Sequence, residues 1–180
     1  RQATSLYARA RARLEQCPES EVEQALIRLA IGFFFVLFGL AVGLVQGWSN
    51  EVVAAFAGAG PFFLLSALII AWILHNPTKV VTRRYVGMLT DMGTVTYMLY
   101  AAGDFGAAFF VIYLWVTFGN GFRFGRRYLL ASAAMSLVGF VAATEMSPFW
   151  AAHQYLIFGL AAGLVVLPAY VWTLLTRLQD

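Results

Sequence analysis

The most chemically informative feature of this sequence is a carboxylate within an apolar segment. Asp91 lies in the apolar run of residues 85–102, where Thr90 and Thr94 are its polar neighbours. A charged side chain at the centre of a bilayer costs about 2.5–3.5 kcal/mol on insertion scales, so such groups usually turn toward the protein interior and mark a site. At helical spacing Asp91, Thr94 and Tyr97 share one face of a helix, which predicts a polar wall against neighbouring helices.

Two interpretations of Asp91 are open at this stage. In the first, the polar wall contacts a ligand headgroup or acts as a proton-linked switch between helices. In the second, Asp91 pairs with Arg84, Arg123 or Arg126 and only locks the helices together. The variant Asp91→Asn distinguishes the two interpretations. A folded protein without signalling supports the first, and a protein that fails to fold supports the second.

A basic stretch, G-N-G-F-R-F-G-R-R at residues 119–127, is predicted to form a loop. Its arginines, Arg123, Arg126 and Arg127, suit contact with anionic lipid headgroups. The glycine spacing does not fit the phosphate-binding pattern G-x-G-x-x-G, because Phe124 occupies the position of the last glycine. Since the chain has a single cysteine and no hydrolase, metalloprotease or Walker motif, we predict no catalytic residue, no metal site and no cofactor.

A tryptophan in the middle of an apolar span is a further candidate. Most tryptophans of the chain lie near span ends, as in the aromatic belts of membrane proteins. Trp115 instead lies mid-span beside Phe109, Phe110 and Tyr113. It either lines an apolar pocket or packs against neighbouring helices.

The composition determines the class of protein that positions these residues. Hydrophobic residues make up 61% of the chain and charged residues 12%, whereas soluble domains have about 45–50% and 25%. The sequence therefore predicts an all-α membrane protein, a bundle of six transmembrane helices. The predicted spans are about 26–45, 52–74, 85–102, 106–118, 128–145 and 154–175.

The distribution of positive charge predicts the orientation of the bundle. If six spans alternate, all 12 lysines and arginines lie on one side, when Arg28 is counted with residues 1–25. Lys and Arg concentrate in cytoplasmic loops, so both termini are predicted to be cytoplasmic. We expect residues 1–25 to form a charged tail leading into a capped helix start. Residues 176–180 are expected to begin a helix that continues to a cytoplasmic output domain. With the basic residues at the membrane surface, nucleic acid is not a predicted partner.

A family resemblance rests on residues 17–29, which read C-P-E-S-E-V-E-Q-A-L-I-R-L, together with the basic stretch and the outgoing last helix. This pattern resembles the membrane sensor region of the hybrid histidine kinases that detect diffusible signal factors. These signals are cis-2-unsaturated fatty acids used in bacterial quorum sensing. The resemblance implies a receptor in the bacterial inner membrane that forms a homodimer through its kinase. Accounts of the family draw five spans with residues 17–25 outside, whereas the charge count here favours six with them inside.

The resemblance also implies a place for signal recognition. In the family, the polar stretch before the first span is associated with recognising the signal. The corresponding residues here are Glu19, Ser20, Glu21, Glu23 and Gln24.

The leading functional prediction is a sensor module that responds to a fatty-acid-like signal and passes a helix movement to a kinase. The alternative is a small membrane transporter or channel subunit that uses Asp91 on its pathway. A transporter is expected to show internal repeats and paired broken helices. A structural membrane anchor without a ligand is a third possibility.

Overall fold

The structure, a computed structural model, describes residues 19–78 and 80–177, with side chains described from residue 21 onward. Within these residues the regular secondary structure is helical, which confirms the predicted all-α class. The helices are α1 (Glu19–Gln46), α2 (Asn50–His75), α3 (Val81–Ala101), α4 (Gly103–Ala107), α5 (Phe110–Phe124), α6 (Arg126–Met146), α7 (Pro148–Ala151) and α8 (Gln154–Arg177).

Short connections between the helices follow from local chemistry. Ser49 caps α2, because its hydroxyl oxygen accepts a hydrogen bond from the backbone N–H of Val52 at 3.3 Å. A single residue, Gly125, joins α5 to α6 with a φ of 93°. L-residues rarely adopt that conformation, so glycine is needed there. The predicted loop at residues 119–127 is therefore wrong: α5 continues to Phe124 and α6 begins at Arg126.

Among the residues that the structure describes, five helices are long and apolar enough to cross a membrane. They are Glu21–Gln46, Asn50–His75, Gly103–Phe124 (α4 and α5 together), Arg126–Met146 and Gln154–Arg177. The chain is thus a multi-pass membrane protein. The short fourth span of the sequence prediction extends in the structure from Gly103 to Phe124.

The 21-residue helix α3 is long enough to cross but is not among those five. Its hydropathy is lowered by Arg83, Arg84, Asp91 and several threonines. Arg83, Thr90 and Asp91 are buried against other helices. The predicted count of six crossings, and the side on which the termini lie, stay predictions.

The largest cluster of buried hydrophobic side chains among the described residues lies between α3, α5, α6, α7 and α8. Its largest fully buried side chains include Tyr113, Phe140 and Trp150. Trp150 on α7 donates from its indole Nε1 to the backbone carbonyl of Leu99 at 2.9 Å, which ties α7 to the end of α3. Hydroxyl groups also link the helices, as in the 2.7 Å contact between Thr96 and the hydroxyl of Tyr113. Outside this core, α2 packs on α3, and α1 packs mainly on α2.

Candidate functional site

A groove runs along α1, between that helix and α2, α3 and α5. Its lining residues on α1 extend from Gln24 to Gly39, which is about 22 Å at the helical rise of 1.5 Å per residue. The empty space between the lining side chains is about 920 Å³, including the part open to the outside. Polar side chains lie at one end of the groove, and the remaining walls are apolar.

The central contact at the polar end is an ion pair between α1 and α3. Arg28 donates from Nε to Oδ1 of Asp91 at 2.5 Å and from Nη2 to Oδ2 at 2.9 Å. The side chains of Arg28 and Asp91 are only 4% and 8% exposed. A Cβ atom at Gly87 would lie 2.6 Å from Arg28 Nη2, so the guanidinium group rests directly on the glycine backbone. The absence of a side chain at Gly87 therefore lets a bidentate, buried pair form.

A second buried cluster lies one to two turns away. Glu21 accepts hydrogen bonds from both Arg83 and Arg84 at the start of α3. Arg83 also donates to the backbone carbonyls of Asn76 at 2.7 Å and Thr78 at 2.8 Å, just after α2. Glu21 therefore ties the first turns of α1 to the connection between α2 and α3.

The third link joins α1 to α5. Gln24 donates from Nε2 to Oδ1 of Asn120 at 3.0 Å, and Arg123 donates to Glu23 at 3.3 Å. Asn120 is 2% exposed, and its Nδ2 has no hydrogen-bond partner among the described residues. Gln24, Asn120 and Arg123 all line the groove. This end of the groove therefore carries both a buried amide donor and a guanidinium group.

The opposite end of the groove is closed by aromatic rings. Phe35 and Phe38 of α1 lie against Phe109 and Phe105, with ring centroids 4.6 Å and 5.5 Å apart. Trp115 lines the groove from α5 and is 58% exposed. Contacts at both ends thus hold α1 over the groove.

Of the residues predicted from the sequence, several gather here. Gln24, Asp91, Thr94, Trp115 and Arg123 line the groove, and Glu21 and Glu23 hold α1 beside it. The side chains of Glu19 and Ser20 lie outside the described residues, as do Cys17 and residues 178–180. The functional roles of all these residues stay predictions.

Other predicted residues lie elsewhere. Tyr97 packs on Gly58 and donates its hydroxyl to the carbonyl of Ala54 at 3.0 Å, so it joins α3 to α2. Arg126 lies over the ring of Trp172 at 5.4 Å. Arg127 is exposed on α6.

The partner of Asp91 was predicted wrongly, because Arg28 takes the place proposed for Arg84, Arg123 or Arg126. The charge count groups Arg28 with residues 1–25, so its pairing with Asp91 is not predicted. Two signals were available: Arg28 is the only charged residue between Leu26 and Gln46, and intramembrane charges of opposite sign tend to pair. Asn120 had no comparable signal, because an amide near a span end is unremarkable in sequence.

The chain is similar to the sensory/regulatory protein RpfC of Xanthomonas campestris pv. campestris, with 32% identity over 169 residues in each of two strains. The match covers 91% of this chain, and the chain spans about a fifth (22%) of the length of the relative. No protein-family model matches the chain. No solved structure matches it significantly.

Proposed function

We propose that the chain is the membrane input region of a bacterial sensor histidine kinase, because 91% of its length is similar to a sensory/regulatory protein. The signal is a lipid-like fatty acid, and the output is a helix movement passed to a cytoplasmic kinase. The full-length receptor, of which this chain is the membrane region, acts as a homodimer in the inner membrane. The transporter alternative is not favoured, because the matched relative is named a sensory/regulatory protein.

The observation that supports a signal-responsive role is the way α1 is held. Buried ion pairs fix its first turns to α3, aromatic rings fix its middle, and a groove separates the two attachments. A molecule bound in the groove therefore contacts α1 between its two attachments and affects the position of this helix. If the occupant prefers one position by about 1.4 kcal/mol, the ratio of the two states changes tenfold.

A path from the groove to the output helix runs through packed elements. α3 carries Asp91 and packs on α6, and α6 packs on α8. Leu129 of α6 is fully buried against Val171 and Leu175 of α8. A shift of α3 relative to α1 therefore moves α6, and with it the surface of α6 that packs on α8. α8 is the element that leads out of the bundle in this proposal.

The proposed topology has six crossings with α3 as the third and both termini cytoplasmic. Arg83, Thr90 and Asp91 of α3 are buried against neighbouring helices, which lowers the cost of placing this less apolar helix in the membrane. Cys17 is the only cysteine of the chain. In intact cells, with the remaining cysteines of the full-length receptor replaced, Cys17 is expected to resist a membrane-impermeant maleimide. Prompt labelling would contradict the six-span topology and favour five spans.

The function is tested on the full-length receptor in lipid nanodiscs, by measuring autophosphorylation against the concentration of a cis-2-unsaturated fatty acid. We expect a saturable change in phosphorylation rate. The double variant Arg28→Met/Asp91→Leu, which removes both charges together, is expected to fold but to respond more weakly. A neutral alkane of equal length controls for bilayer perturbation. An unchanged rate across the fatty-acid series, or an equal response to the alkane, would refute the proposal.

A further inference from the structure

An unused hydrogen-bond donor lies at the polar end of the groove. Asn120 is buried, its Oδ1 accepts from Gln24, and its Nδ2 has no partner among the described residues. Buried polar groups are nearly always paired, so an unpaired one requires an explanation. Because Asn120 is a lining residue of the groove, a ligand with an acceptor oxygen would satisfy this donor.

The charge balance at this end favours an anion. The charged residues that line the groove are two arginines, Arg28 and Arg123, and one carboxylate, Asp91, which leaves one positive charge over. The loosest pair is Arg123 with Glu23, at 3.3 Å, where the Glu23 side chain is 61% exposed. Arg123 follows Asn120 by one helical turn and also lines the groove. A guanidinium group beside an amide donor suits a carboxylate, which has two acceptor oxygens.

Beyond the polar end, the groove offers only apolar contact for most of its length. Its walls there are formed mainly by aliphatic and aromatic side chains, together with glycine and alanine. The lining residues include Ile31, Phe35, Ala59, Ile112, Trp115 and Val116. A flexible hydrocarbon chain in contact with bilayer lipid can enter such a space without losing hydrogen bonds to water.

We propose that Asn120 and Arg123 bind the carboxylate of a single-chain fatty acid whose tail lies in the groove between α1, α2, α3 and α5. The proposal rests on the proposed function in taking a fatty acid as the signal. It places the headgroup site within the helix bundle, at α5, and not on the first turns of α1. The acid replaces Glu23 as the partner of Arg123 and thereby loosens one of the links between α1 and α5.

The test uses a fatty acid that carries a diazirine in its tail, crosslinked by light to the full-length receptor in nanodiscs and mapped by peptide mass spectrometry. Competitors are the unlabelled acid, its methyl ester and a lysophospholipid with the same chain. We expect crosslinks on groove-lining segments of α1, α2 and α5. The unlabelled acid should compete at least tenfold better than either the ester or the lysophospholipid.

Two variants examine the amide donor and the space of the groove beside it. Asn120→Asp replaces the donor by an acceptor and should lower the crosslinking yield about tenfold. Its control is Ser66→Ala, since Ser66 is also buried without a hydrogen-bond partner among the described residues but does not line the groove. Gly119→Leu fills the groove without a backbone clash, because a Cβ there meets only Arg123, at 3.9 Å. Its control is Gly93→Leu on α3, where a Cβ has open space and the groove is not reached.

Crosslinks confined to residues 1–25 would overturn the proposal. The proposal would also fail if Asn120→Asp gave the same crosslinking yield as Ser66→Ala and Gly119→Leu gave the same yield as Gly93→Leu. Competition by the lysophospholipid equal to that by the acid would likewise overturn it and would make the groove a phospholipid site. These results are independent of the phosphorylation assay. A receptor that responds to the acid but crosslinks elsewhere retains the proposed function and loses this site. A receptor that crosslinks in the groove without a kinase response retains the site and loses the function.

Discussion

The buried pair between Arg28 and Asp91 gives the sharpest prediction of stability. Asp91→Asn keeps the shape of the side chain and removes its charge, so Arg28 stays buried, at 4% exposure, opposite a neutral amide. Removing one partner of a buried ion pair typically costs about 3–5 kcal/mol, because the remaining charge is uncompensated. Since about 1.4 kcal/mol corresponds to a tenfold change in an equilibrium constant, this loss changes the equilibrium constant of unfolding at least a hundredfold. The double variant Arg28→Met/Asp91→Leu removes both charges and is expected to lie within about 1–2 kcal/mol of the wild type.

The measurement is reversible unfolding of the purified chain in mixed micelles, followed by tryptophan fluorescence. It compares the wild type, Asp91→Asn, the two single variants Arg28→Met and Asp91→Leu, and the double variant. Asp104→Asn makes the same substitution at an exposed carboxylate on α4 and should change stability by less than about 0.5 kcal/mol. The two single variants should each be clearly less stable than the double variant. A loss below about 1 kcal/mol for Asp91→Asn, with no recovery in the double variant, would show that the pair is not buried as described.

Five further substitutions probe other features of the bundle, and two of them, at Gly60 and Glu145, are controls. Gly125→Ala should cost about 1–2 kcal/mol in the same unfolding assay, because φ is 93° at that position. Gly60→Ala, in open space within α2, should instead raise stability by up to about 1 kcal/mol. Trp150→Phe removes the indole hydrogen bond to a carbonyl of α3 and should cost about 1–2 kcal/mol of stability. Backbone amides at the end of α3 should then exchange with solvent faster than in the wild type. Glu21→Gln leaves two arginines without their carboxylate and should cost about 3 kcal/mol, whereas the exposed Glu145→Gln should be nearly neutral.

Helix positions were largely predictable because hydrophobic length alone identifies membrane helices. The first, second, fifth and last predicted spans coincide with the inner parts of α1, α2, α6 and α8. Residues 119–124 were assigned to a loop because glycine, asparagine and arginine are common in loops. In the structure they form the last turns of α5, since Asn120 and Gly121 are buried against other helices and only Gly125 leaves helical geometry.

Asp91 was recognised as special from its cost in an apolar span, but its partner depended on tertiary packing. Arg28 lies 63 residues earlier, and no local pattern indicates that α1 and α3 meet. The groove itself was also beyond sequence reasoning, because it arises where four helices fail to fill the space between them. Gly39 contributes by allowing Phe56 of α2 and Phe105 to approach α1 closely.

The separation between Arg28 and Asp91 also has a consequence for how the protein is made. α1 leaves the ribosome before α3 exists, so Arg28 enters the bilayer region while its counter-ion is still unsynthesised. A lone arginine near the start of a span can extend its side chain toward the lipid headgroups, where its charge stays solvated until the counter-ion is present. We therefore expect the first hairpin to insert in a shallow position and to move to its final depth only once the third helix has been translated.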